Sequence, residues 1–444
     1  MAKQIVVIGG GPAAIEAAKA AATAGAKVTI VSDSPIGGRS GWHSLLPSKV
    51  WLTAADTLGL SAESAALGLS ASGGQASPER ILARIQAVKK SWNGQLDAEL
   101  KALGVEIVTG VGSFVSGREV VVENNQGDNV AHLQPDATII AAGSVPFFPE
   151  NLRPDGQRVL APRFASGLDW LPERVVVIGA GATGTEFVYM FNRLGASVTW
   201  VVDQFGILPA FDPAAGEFIG RVLSRRGVNI IRDQLAERIA RTENSVTVVT
   251  SGGEAITADM AFVAIGRMSD LSRLNLEAAG LAVARGKSPQ VDGFGQTDVP
   301  GIYAVGDAAG APMLANRAMA QAWVAGKHAA GASVAPFRPE TVVHAIYSEP
   351  QVAQVGSLAG RRIKVPFAGT LKAHLAPEGE GFVELALDDG GKVIGGLAVG
   401  LHAADMLAPV ALAIQTGATA ADLAAVFAAH PTLSELVFVA ARQV

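Results

Sequence analysis

The sequence contains no cysteine. Structural disulfides, cysteine-ligated zinc, iron–sulfur clusters and thiol nucleophiles are therefore excluded. The chain also lacks net positive charge, since its formal net charge is −5 and its pI is near 5.9. A nucleic-acid partner thus has no electrostatic support, and none is expected. The histidines show no metal-ligand spacing such as H-E-x-x-H, so we expect no metal site.

Long apolar runs are missing as well. No stretch approaches the roughly 20 apolar residues of a membrane span. No charged segment followed by a long apolar run precedes the first short strand at 4–8. We therefore expect no signal peptide, no membrane span and a cytoplasmic location. The length of 444 residues predicts two to four domains.

Two segments, 4–33 and 174–203, repeat one order of apolar strand, glycine-rich turn, helix and second strand. Glycines in such a turn let backbone N–H groups approach a pyrophosphate at a helix N-terminus. After the proline-containing stretch 332–340, the pattern changes to a hairpin with the turn "DDGG" at 388–391, followed by helices. The predicted fold class is α/β, with two Rossmann-like dinucleotide-binding domains and a C-terminal α+β domain.

The first turn reads Gly9-x-Gly11-x-x-Ala14, and the strand after it closes with Ser32 and Asp33. An acidic residue at this strand end binds ribose hydroxyls in dinucleotide sites. Asp33 is the candidate, although it lies one position later than the usual acid. The alternative is that Asp33 is a solvated loop residue.

The second turn, Gly179-x-Gly181-x-x-Gly184, matches the fingerprint completely, and its second strand closes with "VVDQ". Asp203 is the candidate ribose ligand, again one position late. A carboxylate there repels a 2′-phosphate, and no arginine occurs at 204–216. The sequence therefore favours NAD over NADP.

Further motifs follow in a fixed order along nearly the whole chain. They are the Gly-Gly and Pro-Ser-Lys segment at 36–49, "AAGS" at 141–144, "AIGR" at 264–267, "GIYAVGD" at 301–307, "IYSEPQVAQVG" at 346–356 and "HPTLSE" at 430–435. In this ordered set the chain resembles the FAD-dependent pyridine nucleotide–disulfide oxidoreductases. Its outline is closest to dihydrolipoamide dehydrogenase and the soluble transhydrogenases, as a cysteine-less member.

The resemblance implies FAD on the first repeat, NAD(H) on the second and a homodimer formed by the C-terminal domain. It divides the chain into an FAD-binding domain at 1–150 and 271–335, an NAD-binding domain at 151–270 and a dimer-interface domain at 336–444. Asp307 would bind the ribityl or phosphate side of the flavin. The cofactor-binding residues so predicted are Gly9, Gly11, Ala14, Asp33, Gly143, Asp307, Gly179, Gly181, Gly184, Asp203 and Gly266.

The resemblance also implies two catalytic pairs. Lys49 would lie near the flavin N5 and pair with Glu186, where it tunes the flavin and admits hydride from the nicotinamide. The alternative is that each is an exposed charge. His430 and Glu435 match the His–Glu pair contributed across the dimer, in which the carboxylate orients the imidazole. Because no dithiol exists here, a structural interface contact is the alternative for that pair.

The two cysteine positions of the family read Ser40 and Leu45 in this chain. Disulfide reduction by the family mechanism is therefore excluded, whereas hydride transfer from NADH to flavin needs no sulfur. We predict an NADH:acceptor oxidoreductase that passes electrons from flavin directly to a small molecule such as a quinone. The predicted acceptor pocket comprises Arg39, Ser40, Trp42, His43 and Leu45, with core packing as the alternative for Trp42.

Two other functions remain open. One is hydride exchange between nicotinamide nucleotides, as in the transhydrogenases, although Asp203 disfavours NADP. The other is a non-catalytic nucleotide-binding sensor or regulatory module, which the altered strand ends Ser32 and Val202 would suit. The matching Lys49, Glu186, His430 and Glu435 favour an enzyme.

Overall fold

The computed structural model describes residues 2–70, 74–284, 286–375 and 379–444. The helices predicted for the two repeats and for the C-terminal segment are present. The α-helices of the described residues are α1 Pro12–Thr23, α2 Gly38–Trp42, α3 Leu45–Glu63, α4 Pro78–Ala102, α5 Ala182–Arg193, α6 Pro213–Arg225, α7 Ala315–Ala329, α8 Leu371–His374, α9 Ala403–Met406, α10 Ala408–Thr416, α11 Ala420–Ala424 and α12 Glu435–Ala441.

The strands of the described residues are short and form two parallel sheets, two antiparallel meanders, an antiparallel pair of Ser144–Pro146 with Arg267–Ser269 and one antiparallel C-terminal sheet. In chain order they are β1 Gln4–Ile8, β2 Lys27–Ser32, β3 Glu106–Thr109, β4 Val111–Ser116, β5 Glu119–Glu123, β6 Asn129–Leu133, β7 Ala137–Ile140, β8 Ser144–Pro146, β9 Val159–Leu160, β10 Arg174–Ile178, β11 Ser197–Val201, β12 Asn229–Ile231, β13 Ala236–Arg241, β14 Val246–Thr250, β15 Ala255–Ala258, β16 Met260–Val263, β17 Arg267–Ser269, β18 Ile302–Ala304, β19 His344–Ile346, β20 Gln351–Gly356, β21 Arg361–Pro366, β22 Gly381–Leu387 and β23 Val393–Gly400.

Contacts divide the described residues into two compact units. The first lies within 1–47, 84–147 and 267–338, and the second within 48–83, 148–266 and 339–444. The predicted domain boundaries near 150, 270 and 335 are a separate division, and they stay a prediction.

The first unit contains a parallel sheet in the order β18-β7-β1-β2-β3. One face of this sheet packs on α1 and α7, and the other face packs on the antiparallel strands β4 and β5, so its strands carry buried apolar side chains on both faces. Helix α1 is rich in alanine, and α7 packs closely on it. A Cβ added at Gly326 would lie closer than 3.0 Å to the Ala17 carbonyl oxygen. The small side chains of α1 thus allow the close approach of α7.

The second unit contains a similar five-stranded parallel sheet in the order β9-β16-β10-β11-β12, but its edge strand β9 precedes the repeat in the chain, whereas β18 follows it. Each parallel sheet is accompanied by a three-stranded antiparallel sheet, β4-β5-β6 in the first unit and β13-β14-β15 in the second. The two copies of the nucleotide-binding fold predicted from the repeat are therefore confirmed. Helix α5 differs from α1 in carrying large buried side chains, among them Phe187, which stacks on Phe262 at 4.1 Å.

The second unit also contains an antiparallel sheet in the order β19-β20-β23-β22-β21, with α9 to α12 in the same segment. Strands β22 and β23 form the predicted hairpin, and the turn at Asp388 closes it. The predicted α/β class with a C-terminal α+β part is confirmed. Among the described residues, no helix is both long enough and apolar enough to cross a membrane.

Candidate functional site

The first glycine turn, in the first unit, combines one tight contact with one open space. Gly9 has a φ of +131°, and an added Cβ would lie closer than 3.0 Å to the Ala141 carbonyl oxygen. Gly11 stands at the N-cap of α1, where an added Cβ would meet no described atom within 4 Å. Ala14 is fully buried behind it. This open space at a helix N-terminus fits a dinucleotide pyrophosphate.

The second turn, in the second unit, has the same geometry. Gly179 has a φ of +102°, and its added Cβ would lie 2.5 Å from the Ala264 carbonyl oxygen. Gly181 at the N-cap of α5 faces open space, as does Gly266, which lies three residues beyond the end of the neighbouring strand β16. A Cβ at Gly184 would lie closer than 3.0 Å to the Gly179 carbonyl oxygen. This turn also fits a pyrophosphate.

The two predicted ribose acids have different partners. Asp33 forms an ion pair with Arg273 and accepts a hydrogen bond from Ser34 Oγ at 2.9 Å. Burial alone would raise the pKa of Asp33, but the hydrogen bonds from Arg273 and Ser34 outweigh it and lower the pKa. Asp203 is half-buried and accepts a hydrogen bond from the Phe205 backbone N–H at 3.0 Å. Their role as ribose ligands stays a prediction.

In the first unit, Asp307 is fixed by groups that the sequence analysis did not assign. Ser144 Oγ donates a hydrogen bond to Asp307 Oδ2, and Ser269 Oγ donates one to the Asp307 carbonyl oxygen at 2.6 Å. Arg267 donates to Ser144 through Nε and Nη2, both at 2.8 Å. Burial lowers the pKa of Arg267, Asp307 opposes this effect and Arg39 adds to it.

Ser144 and Arg267 could have been suspected, since each directly follows a glycine predicted to bind a cofactor. Gly143 has a φ of +76°, and its added Cβ would meet no described atom within 4 Å. The polar cluster around Asp307 therefore has an open backbone edge beside it.

In the second unit, the structure brings Lys49 and Glu186 together. Lys49 Nζ lies 2.7 Å from Glu186 Oε1 and 2.8 Å from Oε2, with side-chain exposures of 33% and 9%. The Tyr347 backbone N–H also donates to Glu186 Oε1 at 3.0 Å. The Tyr347 ring centroid lies 4.5 Å from Lys49 Nζ. The contact of the predicted pair is present, and its catalytic role stays a prediction.

The helices that carry this pair are joined by further contacts along their length. Tyr189 Oη donates to Asp56 Oδ1 at 2.6 Å, and Arg193 Nη2 donates to Glu63 Oε1 at 2.8 Å. Lys49, Asp56 and Glu63 are seven residues apart on α3, so they share one side of that helix. Burial raises the pKa of Asp56, although the Tyr189 hydrogen bond and Arg193 oppose it.

The predicted acceptor segment, 36–45, is held by close backbone contacts. A Cβ at Gly38 would lie 2.8 Å from the Gly11 backbone. Gly37 and Gly41 both abut the amide of Asn93. Asn93 is buried, and neither polar atom of its side chain has a partner among the described residues. Sequence reasoning missed Asn93 because it lies on α4, far from the segment in sequence.

The side chains of this segment bond mainly to nearby groups of the first unit. Arg39 forms an ion pair with Asp270, and its Nη1 donates to the Ser144 carbonyl oxygen at 3.2 Å. Ser40 Oγ donates to the Gly37 carbonyl oxygen at 3.1 Å, and Trp42 Nε1 donates to the Ile36 carbonyl oxygen at 2.9 Å. His43 and Leu45 are exposed, Leu45 to 42%.

In the second unit, His430 and Glu435 are in contact, as the motif implied. His430 Nδ1 lies 2.9 Å from Glu435 Oε1, and the Thr432 backbone N–H donates to Oε2 at 2.8 Å. Those two hydrogen bonds, the one from Thr432 first, lower the pKa of Glu435. The imidazole is therefore oriented by a carboxylate, while its use in catalysis stays a prediction.

A family model described as pyridine nucleotide-disulphide oxidoreductase matches residues 3–322. The model of its dimerisation domain matches residues 342–441. The chain belongs to the pyridine nucleotide-disulphide oxidoreductase family. Members of this family are FAD-dependent NAD(P)H oxidoreductases. The predictions of the family, of an oxidoreductase and of FAD and NAD(H) as cofactors are therefore confirmed.

Similar proteins span nearly the whole chain. A protein from Mycobacterium tuberculosis named NAD(P)H dehydrogenase (quinone) is 31% identical and covers 100% of this chain and 94% of its own length. A dihydrolipoyl dehydrogenase from Chlorobaculum tepidum is 33% identical, over 98% of this chain and 95% of that one. The crystal structure of LpdA from Mycobacterium tuberculosis matches with a TM-score of 0.94 at 31% identity, over 99% of both chains.

Proposed function

We propose that this oxidoreductase transfers electrons from NADH to a quinone or a similar neutral aromatic acceptor. In the balanced reaction, NADH, one proton and the quinone give NAD⁺ and the quinol. FAD, when bound, accepts hydride from a nicotinamide and passes electrons on. The chain would contribute binding, orientation and protons.

The main support for a neutral acceptor is that polar groups in the segment 36–45 are already paired within the protein. Arg39 is neutralised by Asp270, and the Trp42 N–H is bonded to a backbone carbonyl oxygen. Leu45, in contrast, exposes an apolar side chain at the position of a family cysteine. A face of this kind favours an uncharged, largely apolar ligand, because burial of apolar surface is favourable.

The missing thiols support the same choice. Exchange with a disulfide substrate requires a thiolate that attacks one of its sulfurs, and this chain has no cysteine. One similar protein is named a dihydrolipoyl dehydrogenase and another an NAD(P)H dehydrogenase (quinone). A chain without cysteine is compatible with quinone reduction and not with thiol–disulfide exchange.

The cofactors would be held by the two glycine turns and the residues beside them. For FAD, the proposed contacts are Gly9, Gly11, Ala14, Asp33, Gly143 and Asp307. For NAD(H), they are Gly179, Gly181, Gly184, Asp203 and Gly266. The preference for NADH over NADPH rests on the Asp203 carboxylate, which would repel a 2′-phosphate.

The proposed proton donor is His430, which Glu435 orients through Nδ1. The acceptor oxygen would receive this proton from the second copy of a homodimer. The match of residues 342–441 to a dimerisation domain supports that assembly. The cytoplasmic location stays a prediction, which fractionation of the source cells would test.

The test compares acceptors with purified protein that contains FAD. NADH oxidation should be rapid with a water-soluble quinone and absent with lipoamide. Exchange of hydride between NADH and an NADP analogue should be slow. Fast exchange without quinone turnover would replace the proposal by a transhydrogenase. The absence of bound flavin, or a flavin that neither nucleotide reduces, would favour a nucleotide sensor.

A matched pair of variants tests the acceptor surface. Leu45→Asp should lower kcat/KM for the quinone about tenfold, because it places a charge on the apolar contact. Reduction of the flavin by NADH should be unchanged. Leu103→Asp is the control, since Leu103 is 43% exposed in the same unit and has no proposed role. Equal effects of the two variants on quinone turnover would contradict the assignment of Leu45.

A further inference from the structure

We propose that Tyr347 is a positioning residue of the Lys49–Glu186 pair. Its ring would restrain the ammonium group, and its backbone N–H would restrain the carboxylate. The expected effect on the flavin rests on the proposed function, because it requires Lys49 to lie beside the flavin. The expected effect on the restraint of Lys49 itself does not rest on the proposed function.

The ring contact is the first observation. Lys49 Nζ lies 4.5 Å from the Tyr347 ring centroid while it bonds to both carboxylate oxygens of Glu186. A cation within about 6 Å of an aromatic ring centroid is attracted by the ring quadrupole. The Lys49 side chain remains 33% exposed. Without the ring, water would therefore compete more strongly for the ammonium group.

The backbone contact is the second observation. The Tyr347 N–H donates to Glu186 Oε1 at 3.0 Å. Tyr347 directly follows β19, where Ile346 pairs with Val352 of the neighbouring strand. The next residue, Ser348, is buried and donates from Oγ to the Pro350 carbonyl oxygen at 2.6 Å. One residue at the end of a paired strand thus contacts both members of the pair.

The protonation state of the phenol supports a ring contact rather than an ion pair. Burial raises the pKa of Tyr347, and the Glu186 and Asp405 carboxylates raise it further. The phenol is therefore neutral near pH 7. The ring face, not a phenolate, is what Lys49 meets.

The first experiment measures the flavin midpoint potential of the holoenzyme with a reference dye and dithionite, without nicotinamide. Tyr347→Leu removes the ring and keeps the backbone N–H. A less restrained cation should shift the equilibrium between oxidised and reduced flavin about three- to tenfold towards the oxidised form, or about 15–30 mV lower for a two-electron couple. Tyr347→Phe keeps the ring and should match the wild type.

The second experiment measures acylation of Lys49 by acetic anhydride, read by peptide mass spectrometry of the same holoenzymes. Acylation should be about three- to tenfold faster in Tyr347→Leu and unchanged in Tyr347→Phe. Trp323→Leu is the matched control: Trp323 is 44% exposed, and its ring centroid lies 4.0 Å from Lys327 Nζ. That variant should speed acylation of Lys327 and leave Lys49 and the potential unchanged.

A folded Tyr347→Leu variant with wild-type potential and wild-type Lys49 acylation would overturn the proposal. Equal changes in Tyr347→Phe and Tyr347→Leu would also overturn it, because the ring would not be the cause. Tyr347→Met replaces the leucine variant if the latter does not fold. Failure of the wild-type protein to reduce quinones would contradict the proposed function instead and would leave the acylation result valid.

Discussion

The turn at Gly9 and the turn at Gly179 use their first two glycines in the same way and differ at the third position. Gly184 admits no Cβ, because the atom would lie closer than 3.0 Å to the Gly179 carbonyl oxygen. The first repeat has Ala14 there, fully buried. A glycine is therefore required at the third position only where the helix approaches the turn closely. The second glycine leaves the space that a pyrophosphate is expected to occupy.

The acids that follow the two repeats differ as well. Both carboxylate oxygens of Asp33 have partners within the first unit, Arg273 and Ser34. Asp203 accepts a hydrogen bond from the N–H of Phe205, two residues further along. Asp33 must therefore share its oxygens with Arg273 if it binds a ribose. The acid at this position is therefore paired with a cation in the first repeat and bonded to a backbone N–H in the second.

The largest effect, on cofactor affinity, should come from placing a side chain in the open spaces at Gly11 and Gly181. Gly11→Val should abolish FAD retention, at least about a hundredfold in affinity or ~2.8 kcal/mol, because the side chain takes the space of the pyrophosphate. Gly181→Val should retain FAD and lose NADH affinity to a similar extent. Flavin release and NADH titration measure the two affinities. Loss of FAD from both variants would contradict the assignment of FAD to the first turn and NADH to the second.

A substitution at the third position should lower the stability more in the second repeat than in the first. Gly184→Ala should lower the free energy of unfolding by about 2–3 kcal/mol, because the backbone must move to relieve the overlap. Ala14→Gly should cost less, about 1–2 kcal/mol, because a helical glycine loses about 0.5–1 kcal/mol and a buried methyl group contributes about 0.8 kcal/mol. The midpoints of urea unfolding of the apoproteins provide the measurement. Equal losses would contradict the different helix positions inferred for the two repeats.

A glutamate at this helix position should affect flavin reduction only in the second repeat, where Glu186 pairs with Lys49. Glu186 and Glu16 lie at the same distance after their second glycines, five residues beyond Gly181 and Gly11. Glu186→Gln should slow flavin reduction by NADH about tenfold, because Lys49 loses its charged partner. Glu16→Gln is the matched control and should leave the stopped-flow rate unchanged. A slow Glu16→Gln variant would show that the effect is not specific to the pair.

The smallest effect concerns Asp33. Its pKa is lower when folded than the ordinary value of 3.8, so the stabilisation is present above that value and is lost as the pH falls through the folded pKa. Asp33→Asn should cost about 0.5–1 kcal/mol at pH 7, because the ion pair with Arg273 is partly exposed. The difference should shrink below about pH 4. A pH-independent difference in urea midpoints would exclude the ion pair as its source.

Sequence patterns predicted the elements that depend on local spacing, since the strand, turn and helix of each repeat follow from short apolar runs and glycines. The contacts of Lys49 with Glu186 and of His430 with Glu435 were implied by the resemblance to the family. Tyr347 was not predicted as part of the Lys49 cluster. Its ring reaches Lys49 only because the folded chain brings together residues nearly 300 positions apart.

The partners of Asp33 and Asp307 were missed for the same reason. Arg273 lies 240 residues from Asp33, and Ser144 lies 163 residues from Asp307. A motif search considers each residue within its own segment, so it finds the glycines of a cofactor-binding fingerprint but not the distant side chains that neutralise or orient nearby charges. Arg39 illustrates this limit, because its pairing with Asp270 changes the charge of the predicted acceptor pocket.

The most direct test of the central claim is an anaerobic titration of the FAD-containing protein with NADH, followed by one equivalent of quinone. Each NADH should bleach the visible flavin absorption stoichiometrically without a long-wavelength thiolate band, and quinone should restore the absorption at once while lipoamide does not. A flavin that NADH leaves oxidised, or that quinone leaves reduced, would contradict direct electron transfer from flavin to the acceptor.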